Sequence, residues 1–112
     1  MIHDEICTYE VCKLAKEKGF DVPTAKNYRH ENGATCNAPT QSLLQRWLRE
    51  EKGVVFGISP MQEMDCDYLG WCATIYKVDE NGYGLSWQEE LYYNTYELAL
   101  ENALAYSLKN LV

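Results

Sequence analysis

The sequence predicts an α+β fold: an antiparallel meander of three or more strands, with about three helices packed on one face. Three observations carry this. Asn37–Gly53 holds a complete amphipathic helix with start and stop signals, Val54–Tyr93 alternates between turn residues, and helical spacing returns after Asn94. Strands grouped between helices, rather than alternating with them, are the α+β pattern. With 112 residues, the chain fits one domain spanning 1–112 and a single core between two layers.

Thr8 is the first capping residue. Val11, Cys12, Leu14 and Ala15 then form one apolar face, Lys13, Lys16 and Glu17 lie outside it, and Gly19 is the stop, which predicts a helix over 9–18. Cys7 and Cys12 fall just before the cap and four residues into the helix, where apolar side chains staple its entry. From Phe20 to Cys36 the periodicity is lost. Within it, Asn27-Tyr-Arg-His, Glu31-Asn-Gly and Ala34-Thr-Cys read as a short hairpin, because Asn-Gly tolerates positive φ.

Pro39 and Thr40 open the second helix and Gly53 closes it. Leu43, Leu44, Trp47 and Leu48 form its apolar stripe, Ser42, Gln45, Arg46 and Arg49 its polar side, and Arg46 can pair with Glu50 one turn on. Val54–Ile58 reads as a strand ended by Ser59-Pro60. Leu69–Val78 alternates, with Trp71, Ala73 and Ile75 on one face and Cys72, Thr74 and Tyr76 on the other. Asp79–Gly82 is then a hairpin turn, and Tyr83–Tyr93 the returning strand. Glu89 falls on the face that should be buried, so either a bulge shifts the register near Gln88 or Glu89 lies beyond the core edge. Asn94 as cap with Glu97 as capping-box partner, and Tyr93 with Leu98 as staple, open the final helix. Its expected core face is Tyr96, Ala99, Leu100, Ala103, Leu104 and Leu111.

Nearly half the residues are apolar and nine are tyrosine, a composition that folds and presents an amphipathic, contact-forming surface. No apolar run is long enough to span a bilayer, and the N-terminus lacks a signal-peptide pattern, so a cytoplasmic protein is expected. The net charge of −7 opposes non-specific binding to phosphate backbones. Five cysteines without a Cys-x-x-Cys pair favour reduced thiols over disulfides or structural zinc.

The remaining constellations are weak as chemistry. Glu63, Asp65 and Asp67 alternate like calcium ligands, but the twelfth position counted from Glu63 is Thr74 rather than a carboxylate. His3 sits in a terminal segment and His30 beside a turn, and neither is held as a catalytic base. Glu89 and Glu90 are adjacent on a strand and point to opposite faces. No glycine-rich loop cradles phosphate. The sequence therefore implies no enzyme, no cofactor and no metal. Gln45, Arg46 and Arg49 resemble the polar face of a DNA-reading helix, but the following element reads as a strand and the chain is acidic. Met61 and Met64, in the same acidic loop, are candidates for an adaptable contact surface, with core packing as their other role.

Ala38-Pro-Thr-Gln-Ser-Leu-Leu-Gln-Arg-Trp-Leu-Arg-Glu50 resembles the signature of a family of small uncharacterised proteins in phages, prophages and mobile elements of gut bacteria. Asn94–Leu104 is similar to the same family's final helix, and Glu10–Phe20 to its first. The resemblance implies a phage or mobile-element origin and supplies no activity, since the family brings no assigned catalytic or binding residues. The leading expectation is a non-enzymatic accessory module that binds a host or phage protein, or a second copy of itself. Its candidate contacts are Met61, Met64, Asp65, Asp67, Arg46 and Arg49. The alternatives are a nucleic-acid-binding or DNA-mimic regulator and a small-molecule-binding domain. Nucleic acid is disfavoured, and no membrane association is expected.

Overall fold

The computed structural model describes residues 5–24, 26–29, 35–62, 69–79, 82–88 and 93–112. In chain order the elements are α1 (Tyr9–Glu17), β1 (Asn27–Arg29), β2 (Thr35–Asn37), α2 (Gln41–Lys52), β3 (Val54–Gln62), β4 (Leu69–Asp79), β5 (Gly82–Gln88) and α3 (Tyr96–Asn110). The fold is α+β. β1 and β2 make an antiparallel two-stranded ribbon, as the sequence around Asn27 and Cys36 predicts, and β3, β4 and β5 make a separate antiparallel sheet in that order.

The helices do not all share one face. α2 and α3 pack on the sheet, whereas α1 packs mainly against α3 and β2. Backbone pairing explains its position: the Cys7 amide donates to the Pro39 carbonyl at 3.0 Å, and Ile6 bridges Thr40, so the entries of α1 and α2 run antiparallel. At the other end of α1, Lys16 Nζ donates to the Thr35 carbonyl of the ribbon at 2.8 Å. One buried cluster joins the layers, with Val11, Cys12 and Ala15 from α1, Leu44 and Leu48 from α2, Ala73 and Ile75 from β4, and Leu100, Leu104 and Leu108 from α3.

The first two helices match their sequence signals closely. Thr8 Oγ1 accepts from the Val11 amide and Thr40 Oγ1 from the Leu43 amide, while Gly53 ends α2 at φ 69° in the left-handed region. Leu44 and Leu48 are buried, and Leu43 and Trp47 are half-buried against the core. α3 differs. Its cap is Thr95, whose hydroxyl accepts from the Leu98 amide at 3.0 Å, so Glu97 is the second helical residue and completes no capping box. The one-residue shift takes Tyr93 and Leu98 off the staple positions, and Tyr96 is turned outward, 39% exposed and edge-on to Trp71. Ser107 and Leu108 are buried instead. Ser107 tolerates this because its hydroxyl donates to the Leu104 carbonyl at 2.9 Å.

Pro60 does not end β3, which continues to Gln62. The Val78 amide donates to the Gly53 carbonyl, which makes Gly53 and Val78 a hydrogen-bonded pair. Bonded and non-bonded pairs alternate along an antiparallel ladder, so Pro60, opposite Trp71, occupies a non-bonded position. Its missing N–H faces away from β4 and costs no ladder bond, the arrangement an edge strand allows. A register shift in β5 is present, nearer the hairpin than expected. Trp87 lies opposite Ile75 and Leu85 opposite Tyr76, leaving Ser86 as the extra residue. Glu89 lies outside the described residues.

Gly57 is required by close packing rather than by its backbone angle. A Cβ there would stand 2.8 Å from Thr74 Oγ1. Gly57→Ala is expected to destabilise by about 1–3 kcal/mol. Urea unfolding should show most of that loss recovered in Gly57→Ala/Thr74→Ala, which removes the opposing hydroxyl.

Candidate functional site

The three described helices bring their N-termini to one place. Thr8, Thr40 and Thr95 cap α1, α2 and α3, and none of these helices carries Glu or Gln at the third position to complete a capping box: those positions are Val11, Leu43 and Leu98. For α1 the tertiary structure supplies the missing half. Glu101, from the second turn of α3, accepts from the Thr8 amide at 2.6 Å through Oε1. Through Oε2 it accepts from Gln41 Nε2 at 2.9 Å. Gln41 also donates Nε2 to the Glu97 carbonyl and its backbone amide to the Glu5 carbonyl, both at 2.8 Å. It is 4% exposed, a buried amide whose two N–H bonds are both used.

Above this node lies an open apolar cleft of about 260 Å³. It is lined by the apolar side chains of Ile6 and Leu98, by Thr8, Thr95 and Gln41, and by Glu5, Glu97 and Glu101. Leu98 is 45% exposed, more than any other large apolar side chain described as exposed. The Glu5 and Glu97 carboxylates engage no partner among the described residues. Each helix N-terminus contributes roughly half a positive charge, so three ends supply about +1.5 against three carboxylates, and the rim keeps negative potential. Beyond Ile6 a second hollow, about 290 Å³, is lined by Pro23, Thr24, Ala38 and Leu43, with Lys26 at its edge.

The residues singled out from the sequence are not gathered here. Arg46 is exposed and paired with Glu50 at 3.1 Å, and Arg49 is exposed on the same helix. Met61 is not in the acidic loop but in β3, which runs on through Pro60, with its Cα opposite Gly70. Met64, Asp65 and Asp67 lie outside the described residues, as do Glu63, His3 and His30. Gln41, Glu97, Leu98 and Glu101 were missed as a group because three belong to a helix 56 or more residues from the first, a proximity that no sequence periodicity encodes. The outer face of the sheet presents Tyr76 and Val78, 37% and 39% exposed. A third hollow of about 430 Å³ is lined by Lys16, Phe20, Asp21 and Asn37, but the Lys16 amine is already engaged with Thr35.

Cys7, Cys12, Cys36 and Cys72 are free and buried. Cys7 and Cys12 occupy the staple positions that the sequence assigns to them. Hydrogen bonding to the Cys12 sulfur, with burial behind it, pushes the Cys7 thiol well above its ordinary range. Burial also raises Cys36 and the Tyr28 phenol, whose hydroxyl donates to the Cys7 carbonyl at 3.0 Å. Among the described residues no group of three or more His, Cys, Asp or Glu side chains is placed to hold a metal ion. No helix among them is long and apolar enough to cross a membrane.

Comparison with protein-family models, curated proteins and solved structures gives no match.

Glu101→Ala is expected to destabilise by about 1–2 kcal/mol, because water replaces the carboxylate at exposed Thr8 while buried Gln41 loses one of two acceptors. A double-mutant cycle with Gln41→Ala, followed by urea denaturation, should return a coupling of about 1 kcal/mol. Since the thiolate is the nucleophile, Cys7 and Cys36 should resist iodoacetamide at pH 8 in the native protein and react fully in 6 M guanidinium, as read by mass spectrometry.

Proposed function

We propose that the chain is a non-enzymatic protein-interaction module that docks its partner at the helix N-terminal end. The observation that carries this is the coincidence of a concave apolar surface with Leu98, an aliphatic side chain 45% exposed at its wall. A hydrogen-bonded network supports that surface, since Gln41 and Glu101 tie α1, α2 and α3 together. A preorganised site spends little binding energy on ordering itself. The resemblance of Ala38–Glu50 to phage and mobile-element proteins supports a host or phage protein as partner. The outer sheet face, with Tyr76 and Val78 exposed, supports the alternative of self-association.

Nucleic-acid regulation through α2 draws less support. Arg46 is neutralised by Glu50, and Glu51 follows directly, so the face is of mixed charge.

The test is affinity capture from phage-infected bacterial lysate, treated with nuclease, using wild type, Leu98→Asp and Tyr76→Asp as baits. The reading expects a stoichiometric protein retained by wild type and Tyr76→Asp but lost with Leu98→Asp. Equal recovery on all three baits, or loss only with Tyr76→Asp, would move the contact away from the cleft. Both positions are exposed, so circular dichroism should show both variants folded.

A further inference from the structure

We infer that the occupant of this cleft is an extended peptide segment of the partner carrying a lysine or arginine beside apolar residues. The inference rests on the docking reading above and adds the chemistry of the ligand. The walls, Ile6 and Leu98, suit the alkyl stem of a long basic side chain, and the carboxylates that border them suit its charged head. Charge complementarity selects this occupant over an acidic one. Glu101 is committed to Thr8 and Gln41, but Glu5 and Glu97 are exposed and have no described partner. Their backbone carbonyls each accept one N–H group of Gln41 at 2.8 Å, and both residues line the cleft, so two carboxylates without a partner among the described residues are tethered beside it.

The second hollow explains why the segment is extended. Ile6 lines both hollows, and the far one is walled by Pro23, Ala38 and Leu43, with Lys26 in place of the carboxylates. A chain crossing Ile6 would set a basic side chain in the first hollow and an apolar one in the second. Lys26 disfavours a second basic residue there. An inorganic anion is a poor alternative occupant: Glu101 already fills the anion position that converging helix ends create.

The experiment is a titration of ¹⁵N-labelled protein with N-acetyl-Leu-Lys-Leu-amide, followed through the amide resonances of Ile6, Gln41 and Leu98. N-acetyl-Leu-Glu-Leu-amide and N-acetyl-Lys-Lys-Lys-amide serve as controls. Saturable shifts at those amides with the first peptide alone are expected, weakened about fivefold in Glu5→Gln/Glu97→Gln and further by 0.5 M salt. Absence of shifts there, equal shifts with either control, or an unchanged response in the double variant would overturn the inference. The lysate capture separates the two levels. A partner lost with Leu98→Asp but retained by Glu5→Gln/Glu97→Gln leaves the docking reading standing and removes the basic occupant.

Discussion

The constraint on which the arrangement of helices depends is the Glu101 carboxylate. Each helix begins with amides that have no intrahelical acceptor, and each cap threonine satisfies one of them with its hydroxyl. Glu101 takes the Thr8 amide and the Gln41 side chain together, and Gln41 in turn holds the backbones of Glu5 and Glu97. A single charged group thereby sets the position of α1 against α3 and of the α2 entry against both. The anion also offsets the partial positive charge of the converging helix ends, so polar satisfaction and electrostatics favour the same geometry.

The sheet is organised by a different rule, steric access at its edge. Pro60 is tolerated because it falls where β3 turns its amides away from β4, and Gly57 because Thr74 occupies the space a side chain would need. The extra residue at Ser86 changes the register of β5 against β4 between Ile75 and Tyr76. The inner face, with Ala73 and Ile75 fully covered, belongs to the core, while Tyr76 and Val78 on the same strand meet solvent. The apolar burial of this strand therefore lies between the layers, away from the polar node at the helix entries.

Much of the fold was legible. The caps at Thr8 and Thr40, the staple of Cys7 and Cys12, the left-handed Gly53 and the β1–β2 ribbon follow from residue types at fixed spacing, because each is decided within a few residues. The errors share a cause. Asn94 looks the better cap for α3, yet Thr95 takes the role, and Pro60 looks like a terminator, yet the strand passes through it. In both cases the neighbouring backbone is held by pairing with Trp71 of β4, opposite Pro60 and bridged to Tyr93, a contact that local residue types do not encode.

The candidate site was not legible at all, and the reason is physical. Sequence alone determined an acidic α+β chain, where its first two helices start, and which of their faces are apolar, since propensity, capping and periodicity act over one or two turns. Tertiary structure alone decided that Glu5, Gln41, Glu97, Leu98 and Glu101 would meet. That meeting depends on antiparallel pairing of Ile6 with Thr40 and on α3 folding back across both helix entries, contacts between residues up to 93 positions apart.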